Sequence, residues 1–143
     1  MGEALAEAKA SVARGGRPNA AVAVVNEAMV ARGHDRAADT SDPTAHAVIV
    51  AIREAARKLG TDQLGEATIF TAVEPCPMCV GALLESNVAA LVYAVPNRID
   101  GAAGSVVDLA QSRELQHRLR VVSGIRQDEA ADWLASVGGN GGC

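Results

Sequence analysis

Three side chains in this sequence have the chemistry of a zinc site. They are His46 and the pair Cys76 and Cys79, which are separated by two residues in the segment EPCPMC. A catalytic zinc ion typically takes three ligands from the protein and one water molecule, whereas a structural zinc takes all four ligands from the protein. The set therefore predicts a metal site that leaves one coordination position for water.

Two predicted helices would position these ligands. Asp42 has the chemistry of a helix N-cap and Pro43 suits the first helical position, which predicts a helix to about Leu59 with His46 in its first turns. A second helix is predicted to start at Cys76. The partial positive charge of a helix N-terminus favours the thiolate form of cysteine that binds metal.

The remaining elements predict one α/β domain. Strands alternate with helices, which indicates a three-layer α/β/α sandwich around a five-stranded mixed sheet. Residues 1–137 form this domain, and residues 138–143 (GGNGGC) are predicted to be a flexible tail. The other predicted elements are a helix over Glu3–Arg14, a hairpin turning at Asn26–Glu27, strands at Ala67–Val73, Val88–Val95 and Leu119–Ser123, and a helix over Ile125–Val137.

Composition narrows the class of protein. The chain has 143 residues, 49% hydrophobic residues and a formal net charge of −4, which disfavours extensive contact with nucleic acid phosphates. Apolar runs fall short of the ~18 residues that a membrane span needs, and no signal peptide is recognisable at the start. The sequence therefore predicts a cytoplasmic protein without membrane contact.

The segments DPTAHAV (42–48) and EPCPMCVGAL (74–83) resemble the zinc signature of the cytidine-deaminase superfamily. The resemblance extends from about Leu5 to Leu134. Residues 33–47 are similar to guanine-deaminase-like nucleobase deaminases, and residues 101–109 and 121–134 are similar to tRNA adenosine deaminases. The resemblance is specific for fold and zinc, and less so for substrate.

This resemblance implies that His46, Cys76 and Cys79 bind Zn²⁺. In such enzymes zinc lowers the pKa of its bound water, so that hydroxide attacks the ring carbon that carries an amino group. Relatives of both kinds are homodimers with sites near the interface, so a homodimer is expected here.

The resemblance also implies five substrate-binding positions. Ala47, Glu74 and Pro75 would border substrate and water, and Asp35 stands where relatives commonly have an asparagine that hydrogen-bonds the base. Asn97 matches a position near the substrate's sugar or a flanking nucleotide. Each polar residue also has a structural alternative: Asp35 as a turn-former, Asn97 as a loop-former, and Glu74 as a brace for the cysteine turn.

Val48 is the departure from the family pattern. Relatives have a glutamate there, which takes a proton from the zinc-bound water and passes it to the ring nitrogen and the departing ammonia. General acid–base catalysis contributes roughly 10²–10⁴-fold, so valine is expected to impair the reaction severely. Glu54 lies eight residues after His46, about 12 Å along the helix, which is too far for it to substitute. Sequence leaves two explanations, an exchange made in an active enzyme and a natural variant.

The substrate preference rests on charge and on Asp35. The last predicted helix has three acidic residues against Arg126, and aromatic residues for stacking on RNA are scarce, which disfavours tRNA. A carboxylate only accepts hydrogen bonds, so Asp35 should prefer rings with N–H donors. Such rings include guanine, isoguanine, cytosine and aminotriazines.

Three functions follow from the sequence. The first is zinc-dependent hydrolytic deamination of a free nucleobase or base analogue, in a chain that Val48 inactivates. The alternatives are a tRNA adenosine-to-inosine deaminase and a catalytically silent protein that binds zinc or a base. For the metal site, the alternatives are a redox Cys pair and a structural zinc with a fourth ligand from His34, His117 or Cys143.

Overall fold

The computed structural model describes residues 1–139, in which a five-stranded sheet separates two layers of helices. The strands are β1 (Ala20–Val25), β2 (Ala28–His34), β3 (Thr68–Val73), β4 (Ala90–Val95) and β5 (Arg120–Ser123). The helices are α1 (Gly2–Ala13), α2 (Ala37–Thr40), α3 (Ala47–Leu59), α4 (Pro77–Glu85) and α5 (Gln127–Ser136).

The sheet is mixed, as predicted. Its strand order is β2-β1-β3-β4-β5. Strand β1 pairs antiparallel with both β2 and β3, whereas β3, β4 and β5 are parallel. Because α4 connects two parallel neighbours, the Cys76 turn lies at the carboxyl end of β3, where open α/β sheets generally place their ligands.

Each face of the sheet has its own apolar core, which confirms the predicted three-layer sandwich. Helices α3 and α4 contribute to the larger core, whereas α1 and α5 contribute to the smaller one. Successive strand residues serve opposite faces, as the pleat requires: Tyr93 belongs to the α3–α4 side and Ala94 to the α1–α5 side. With one Phe, one Trp and one Tyr in the chain, both cores are built mainly from small aliphatic side chains.

The predicted hairpin turn is confirmed. Asn26 and Glu27 both have positive φ, 49° and 64°, as a two-residue type I′ turn requires. This backbone suits the right-handed twist of the strands, even though a glutamate at the second position pays a conformational cost that glycine avoids.

The predicted start of the metal-binding helix was wrong by four residues. Helix α3 begins at Ala47, and Asp42 instead closes a tight turn, in which its Oδ1 accepts hydrogen bonds from Thr44 N (2.9 Å) and Thr44 Oγ1 (2.6 Å). An aspartate side chain can accept hydrogen bonds either from the first turn of a helix or from the turn that contains it, and Asp42 does the latter. The short helix α2 was not among the predicted elements.

Two other expectations concern the whole chain. Within the described residues, no helix is long and apolar enough to cross a membrane. Residues 140–143, which include Cys143, belong to the predicted tail and lie outside the described part of the chain.

A candidate metal centre between two helix N-termini

His46 and Cys76 occupy equivalent positions in two helices. His46 is the N-cap residue of α3 and Cys76 is the N-cap residue of α4, both with extended backbone (ψ 156° and 172°). Neither side chain makes a capping hydrogen bond to its own helix. Both side chains instead turn towards each other, and His46 Nδ1 lies 3.6 Å from Cys76 Sγ.

Cys79 completes a cluster of three metal-binding atoms. Its Sγ lies 3.7 Å from His46 Nδ1, and the ligand atoms of all three residues lie within 4.8 Å of one another. Both cysteines are buried. Cys79 follows Cys76 by three residues in the first turn of α4, and this spacing brings both sulfurs to the same side of the helix.

Within residues 1–139, no further histidine, cysteine or carboxylate joins this cluster. His34 Nδ1 lies 3.3 Å from Glu7 Oε1, and His117 is exposed in an irregular segment. Neither supplies the fourth ligand that a structural zinc would need, and Cys143 lies outside the described residues. A set of one imidazole and two thiols suits zinc, and three protein ligands leave a position open for water.

The helix termini favour the metal-binding state of the cysteines. The N-termini of α3 and α4 converge on the cluster, and the backbone N–H groups of a helix's first turn carry partial positive charge. This charge stabilises thiolates relative to thiols. Pro77 at the first turn of α4 donates no backbone hydrogen bond and fixes φ, so it starts the helix without a lost donor.

Gly33 allows α3 to approach the sheet closely at the site. A Cβ atom at this position of β2 would lie 2.4 Å from Ala47 O and 2.7 Å from Ala51 N. Since both atoms belong to backbone, no side-chain rotation could relieve the clash. The absence of a side chain at Gly33 therefore fixes where α3 begins and where it presents His46.

Glu74 lies beside the cluster, with its carboxylate fully occupied. The side chain is 0% exposed. Oε1 accepts hydrogen bonds from Ala103 N (2.9 Å) and Ser105 N (3.0 Å), and Oε2 accepts from Asn97 N (3.0 Å) and from the Ser105 hydroxyl. Glu74 therefore has the structural role that was the alternative prediction for it. The predicted contact of Glu74 with substrate stays a prediction.

Asn97 is buried and organises the loop that follows β4. Its Oδ1 accepts hydrogen bonds from Ile99 N (3.0 Å) and Asp100 N (3.2 Å), and its Nδ2 donates to an Asp100 carboxylate oxygen. The loop-forming alternative is thus present for Asn97 as well. Its predicted contact with a sugar or flanking nucleotide stays a prediction.

Asp35 follows β2 and uses its two carboxylate oxygens differently. Oδ1 accepts a hydrogen bond from Ala37 N at 3.0 Å, which is the turn-forming alternative. Oδ2 accepts no hydrogen bond from the described residues and lies 3.7 Å from Arg17 Nη1. Asp35 is 8% exposed, so this second oxygen is buried with the Arg17 guanidinium beside it and without a hydrogen bond.

Ala47, Pro75 and Val48 are all buried close to the cluster in sequence. Pro75 O accepts a hydrogen bond from Ala102 N at 2.9 Å, which joins the cysteine turn to the loop after β4. Val48 is 1% exposed and belongs to the same apolar cluster as both cysteines. Position 48, where the family resemblance implies a proton-transferring side chain, is thus part of the hydrophobic core here.

The buried environment next to Glu74 also affects Tyr93 of β4. Burial raises the pKa of the Tyr93 hydroxyl, and the negative charge of Glu74 raises it further, while hydrogen bonds with Ser123 and Ser105 lower it. The hydroxyl therefore stays protonated at neutral pH.

Sequence inspection missed Gly33, Gly101 and Ser105. Each of these three residues matters because of its contacts with atoms of residues far away in the sequence. The only local signal was the turn-rich composition of residues 96–105, which indicated a loop without saying what it folds around.

The fold and the cluster define a zinc deaminase, and the chain belongs to that family. The family described as "Cytidine and deoxycytidylate deaminase zinc-binding region" matches residues 1–95, which include all three cluster residues. The family resemblance and the zinc cofactor predicted from sequence are both confirmed.

Relatives of two substrate classes are similar to this chain. The tRNA-specific adenosine deaminase of Bacillus subtilis is 36% identical over 95% of this chain and 84% of its own length. Among solved structures, one from a study of tRNA:A34 deaminases has a TM-score of 0.86 at 33% identity, covering 90% of this chain and 94% of its own. The guanine deaminase of Nitrosomonas europaea has a TM-score of 0.82 at 27% identity, covering 96% of this chain and 81% of its own.

Some relatives are much longer than this chain. The tRNA(Ile)-lysidine synthase of Deinococcus radiodurans is 41% identical over 97% of this chain, but the match spans only 24% of that relative.

Proposed function

We propose that this chain has the architecture of a zinc-dependent aminohydrolase that binds an amino-substituted nucleobase, and that Val48 slows its turnover severely. The observation that carries this proposal is the cluster of His46, Cys76 and Cys79 without a fourth protein ligand among residues 1–139. When zinc is bound, it lowers the pKa of coordinated water and supplies hydroxide near neutral pH.

The chain's own residues would hold the ion and exclude water around it. The two cysteines are 5% and 0% exposed, so a ring that reaches the site would be largely desolvated. What the site lacks is a group that moves protons between the attacking oxygen, the ring nitrogen and the leaving ammonia. Val48 can neither accept nor donate a proton.

Glu74, Glu54 and Asp35 do not replace that carboxylate. Glu74 is saturated by four donors in the interior, and Glu54 pairs with Arg57 at 2.6 Å on the exposed side of α3. Asp35 forms a turn through one oxygen and faces Arg17 with the other. Val48 therefore removes general acid–base catalysis, which is worth roughly 10²–10⁴-fold.

Asp35 supports a ring with N–H donors as the preferred ligand. Its Oδ2 is buried and receives no hydrogen bond within the described residues. A donor from a bound guanine-type ring would satisfy this oxygen, whereas the ring nitrogens of adenine are acceptors and would not. On this basis we infer a free guanine-type base or analogue as the substrate class.

Replacement of Val48 by glutamate tests the proposal. Ammonia release from guanine, isoguanine, cytosine and adenosine would be measured for the original chain and for Val48→Glu, with zinc content determined for both. We expect equal zinc content and a turnover about 10²–10⁴-fold higher in Val48→Glu.

Val48→Gln is the matched control, because glutamine has the size and polarity of glutamate without its ability to shuttle protons. Turnover as high in Val48→Gln as in Val48→Glu would contradict the proposed role. A zinc-loaded Val48→Glu protein that is inert towards all of these substrates and towards tRNA would overturn the aminohydrolase proposal.

Adenosine in tRNA is the second candidate substrate, supported by the likeness to tRNA adenosine deaminases over nearly the whole chain. Val48→Glu protein incubated with a tRNA anticodon arm would then convert adenosine to inosine, with binding that weakens steeply as salt rises. In this case Asp35→Asn should increase activity on adenosine, because an amide can donate to a ring acceptor. A homodimer remains the expected assembly, and light scattering would test it.

A further inference from the structure

The carboxylate of Glu74 is the centre of a hydrogen-bonded loop. Its donors are the backbone of Asn97 at the start of the loop, and the backbone of Ala103 and both donors of Ser105 at its end. The 97–105 loop therefore folds around one buried side chain that belongs to a different part of the chain.

The same loop is attached to the cysteine turn. Ala102 N donates to Pro75 O at 2.9 Å, directly between Glu74 and Cys76. Ala102 and Ala103 are 0% and 7% exposed and belong to the apolar cluster that contains both cysteines and Val48. The inner side of the loop thus forms part of the surroundings of the metal-binding thiols.

Gly101 shows how closely the loop packs on Glu74. A Cβ atom at Gly101 would lie 2.4 Å from Asn97 O and 2.6 Å from Glu74 Oε2. A small change in the position of the carboxylate would therefore displace the backbone of the loop.

We propose that Glu74 is a positioning residue, which folds the 97–105 loop into a wall of the metal site and so sets where the substrate ring lies. This inference rests on the proposed function, because it assigns the wall of that same site. Glu74 touches neither the substrate nor the reacting atoms in this proposal; it acts through the loop.

The four donors explain why this position has a carboxylate. An ionised carboxylate accepts hydrogen bonds at both oxygens, whereas the amide of glutamine offers one acceptor oxygen and two donor hydrogens. In Glu74→Gln the amide nitrogen would face either the Ala103 and Ser105 N–H groups or the Asn97 N–H and the Ser105 hydroxyl. Two donors facing one another in the interior repel, so that side of the loop would move away.

The first experiment needs no turnover. Arg98 is exposed within the loop, and trypsin cleavage after Arg98 reports local opening. We expect Glu74→Gln to be cut after Arg98 on the order of tenfold faster than the original chain, while cleavage after Arg57 of α3, which reports wider unfolding, changes little. Glu85→Gln, at an exposed position of α4, is the control and should leave both rates unchanged.

The second experiment measures substrate positioning. In a Val48→Glu background, we expect Glu74→Gln to raise KM about tenfold or more while zinc content stays the same and kcat changes less. Ser105→Ala, which removes one donor and leaves the carboxylate in place, should give an intermediate increase in KM and in cleavage after Arg98. It also keeps the test decisive should Glu74→Gln not fold.

The outcomes separate this inference from the proposed function. If Val48→Glu is inert, guanine binding to the original chain, measured by calorimetry, replaces KM as the readout. Folded Glu74→Gln and Ser105→Ala proteins with unchanged cleavage after Arg98 would overturn the inference. Faster cleavage with unchanged KM or guanine affinity would also overturn it, since the loop would then open without affecting the ring.

Discussion

The starts of helices α3 and α4 are built alike around the metal cluster but differ in their carboxylates. Each helix presents a ligand from its N-cap position, His46 in one and Cys76 in the other. Beside α4, Glu74 keeps a buried carboxylate with four donors. At the start of α3, the position where the family resemblance implies a proton-transferring glutamate is Val48, which is buried in the core.

This difference separates two uses of a carboxylate at one site. The carboxylate of Glu74 fixes backbone and is needed for the site to have its shape. A carboxylate at position 48 would move protons and is needed only for turnover. Because the first is present and the second is missing, the proposed function is a chain that binds an ion and a ring but completes the reaction slowly.

The largest expected effect comes from removing one of the metal ligands, because a metal ligand is the feature that the two helix starts have in common. Cys79→Ala should lower zinc content from about one ion per chain to near zero, because two remaining ligands bind zinc far more weakly than three. The measurement is elemental analysis of protein purified without chelators. Cys143→Ser, in the predicted tail, is the control and should keep its zinc. Retention of a full zinc equivalent in Cys79→Ala would show that the ion binds elsewhere.

A smaller effect is expected from alanine at two closely packed glycines. Gly33 of β2 packs against the start of α3, and Gly101 of the 97–105 loop packs against Glu74, which precedes α4. Gly33→Ala would push against Ala47 O, and Gly101→Ala against Asn97 O and Glu74. Each should lower the free energy of unfolding by about 1–3 kcal/mol, measured by urea denaturation.

The two variants should differ in what else they disturb. Gly33→Ala should weaken zinc binding through His46, whereas Gly101→Ala should mainly accelerate trypsin cleavage after Arg98. Gly81 is the matched control, because a Cβ there meets no atom within 4 Å and the residue lies inside α4. Gly81→Ala should stabilise the protein by about 0.5–1 kcal/mol. Equal effects on zinc from both variants would remove the distinction between the two helix starts.

The smallest expected effect is a change in the titration of Tyr93, the single tyrosine of the chain. Burial and the charge of Glu74 raise its pKa above the ordinary value of 10.0. A raised pKa in the folded state means that the stability it contributes is present below pH 10 and is lost as pH rises through the folded-state pKa. In Glu74→Gln the titration, followed by ultraviolet absorbance, should shift to lower pH. An unchanged or higher midpoint would show that the Glu74 charge does not act on Tyr93.

The metal ligands and the order of elements were predictable because their signals are local. A C-x-x-C pair at the N-terminus of a helix, together with a distant histidine, can be recognised from residue types and their spacing. Alternating strands and helices gave the sandwich, and the Asn26–Glu27 turn gave the hairpin. The start of α3 was not predictable in this way, since Asp42 can cap either a helix or its own turn and both need the same residue.

The surroundings of the site were not predictable for a different reason. Glu74 meets its hydrogen-bond donors 23 to 31 residues further along the chain, and no local pattern marks Asn97 N or Ser105 N as its partners. Gly33 is likewise explained only by the approach of Ala47 from another element. These features depend on tertiary packing, which the spacing of residue types does not encode.

His46 and Cys76 are 30 residues apart in the chain, and each is the N-cap residue of its helix. An ion shared between them closes a loop of that length, as a disulfide would, and removes conformational freedom from the unfolded chain. Unlike a disulfide, this cross-link forms in a reducing compartment and responds to zinc supply. We therefore expect the free energy of unfolding to rise with the concentration of free zinc.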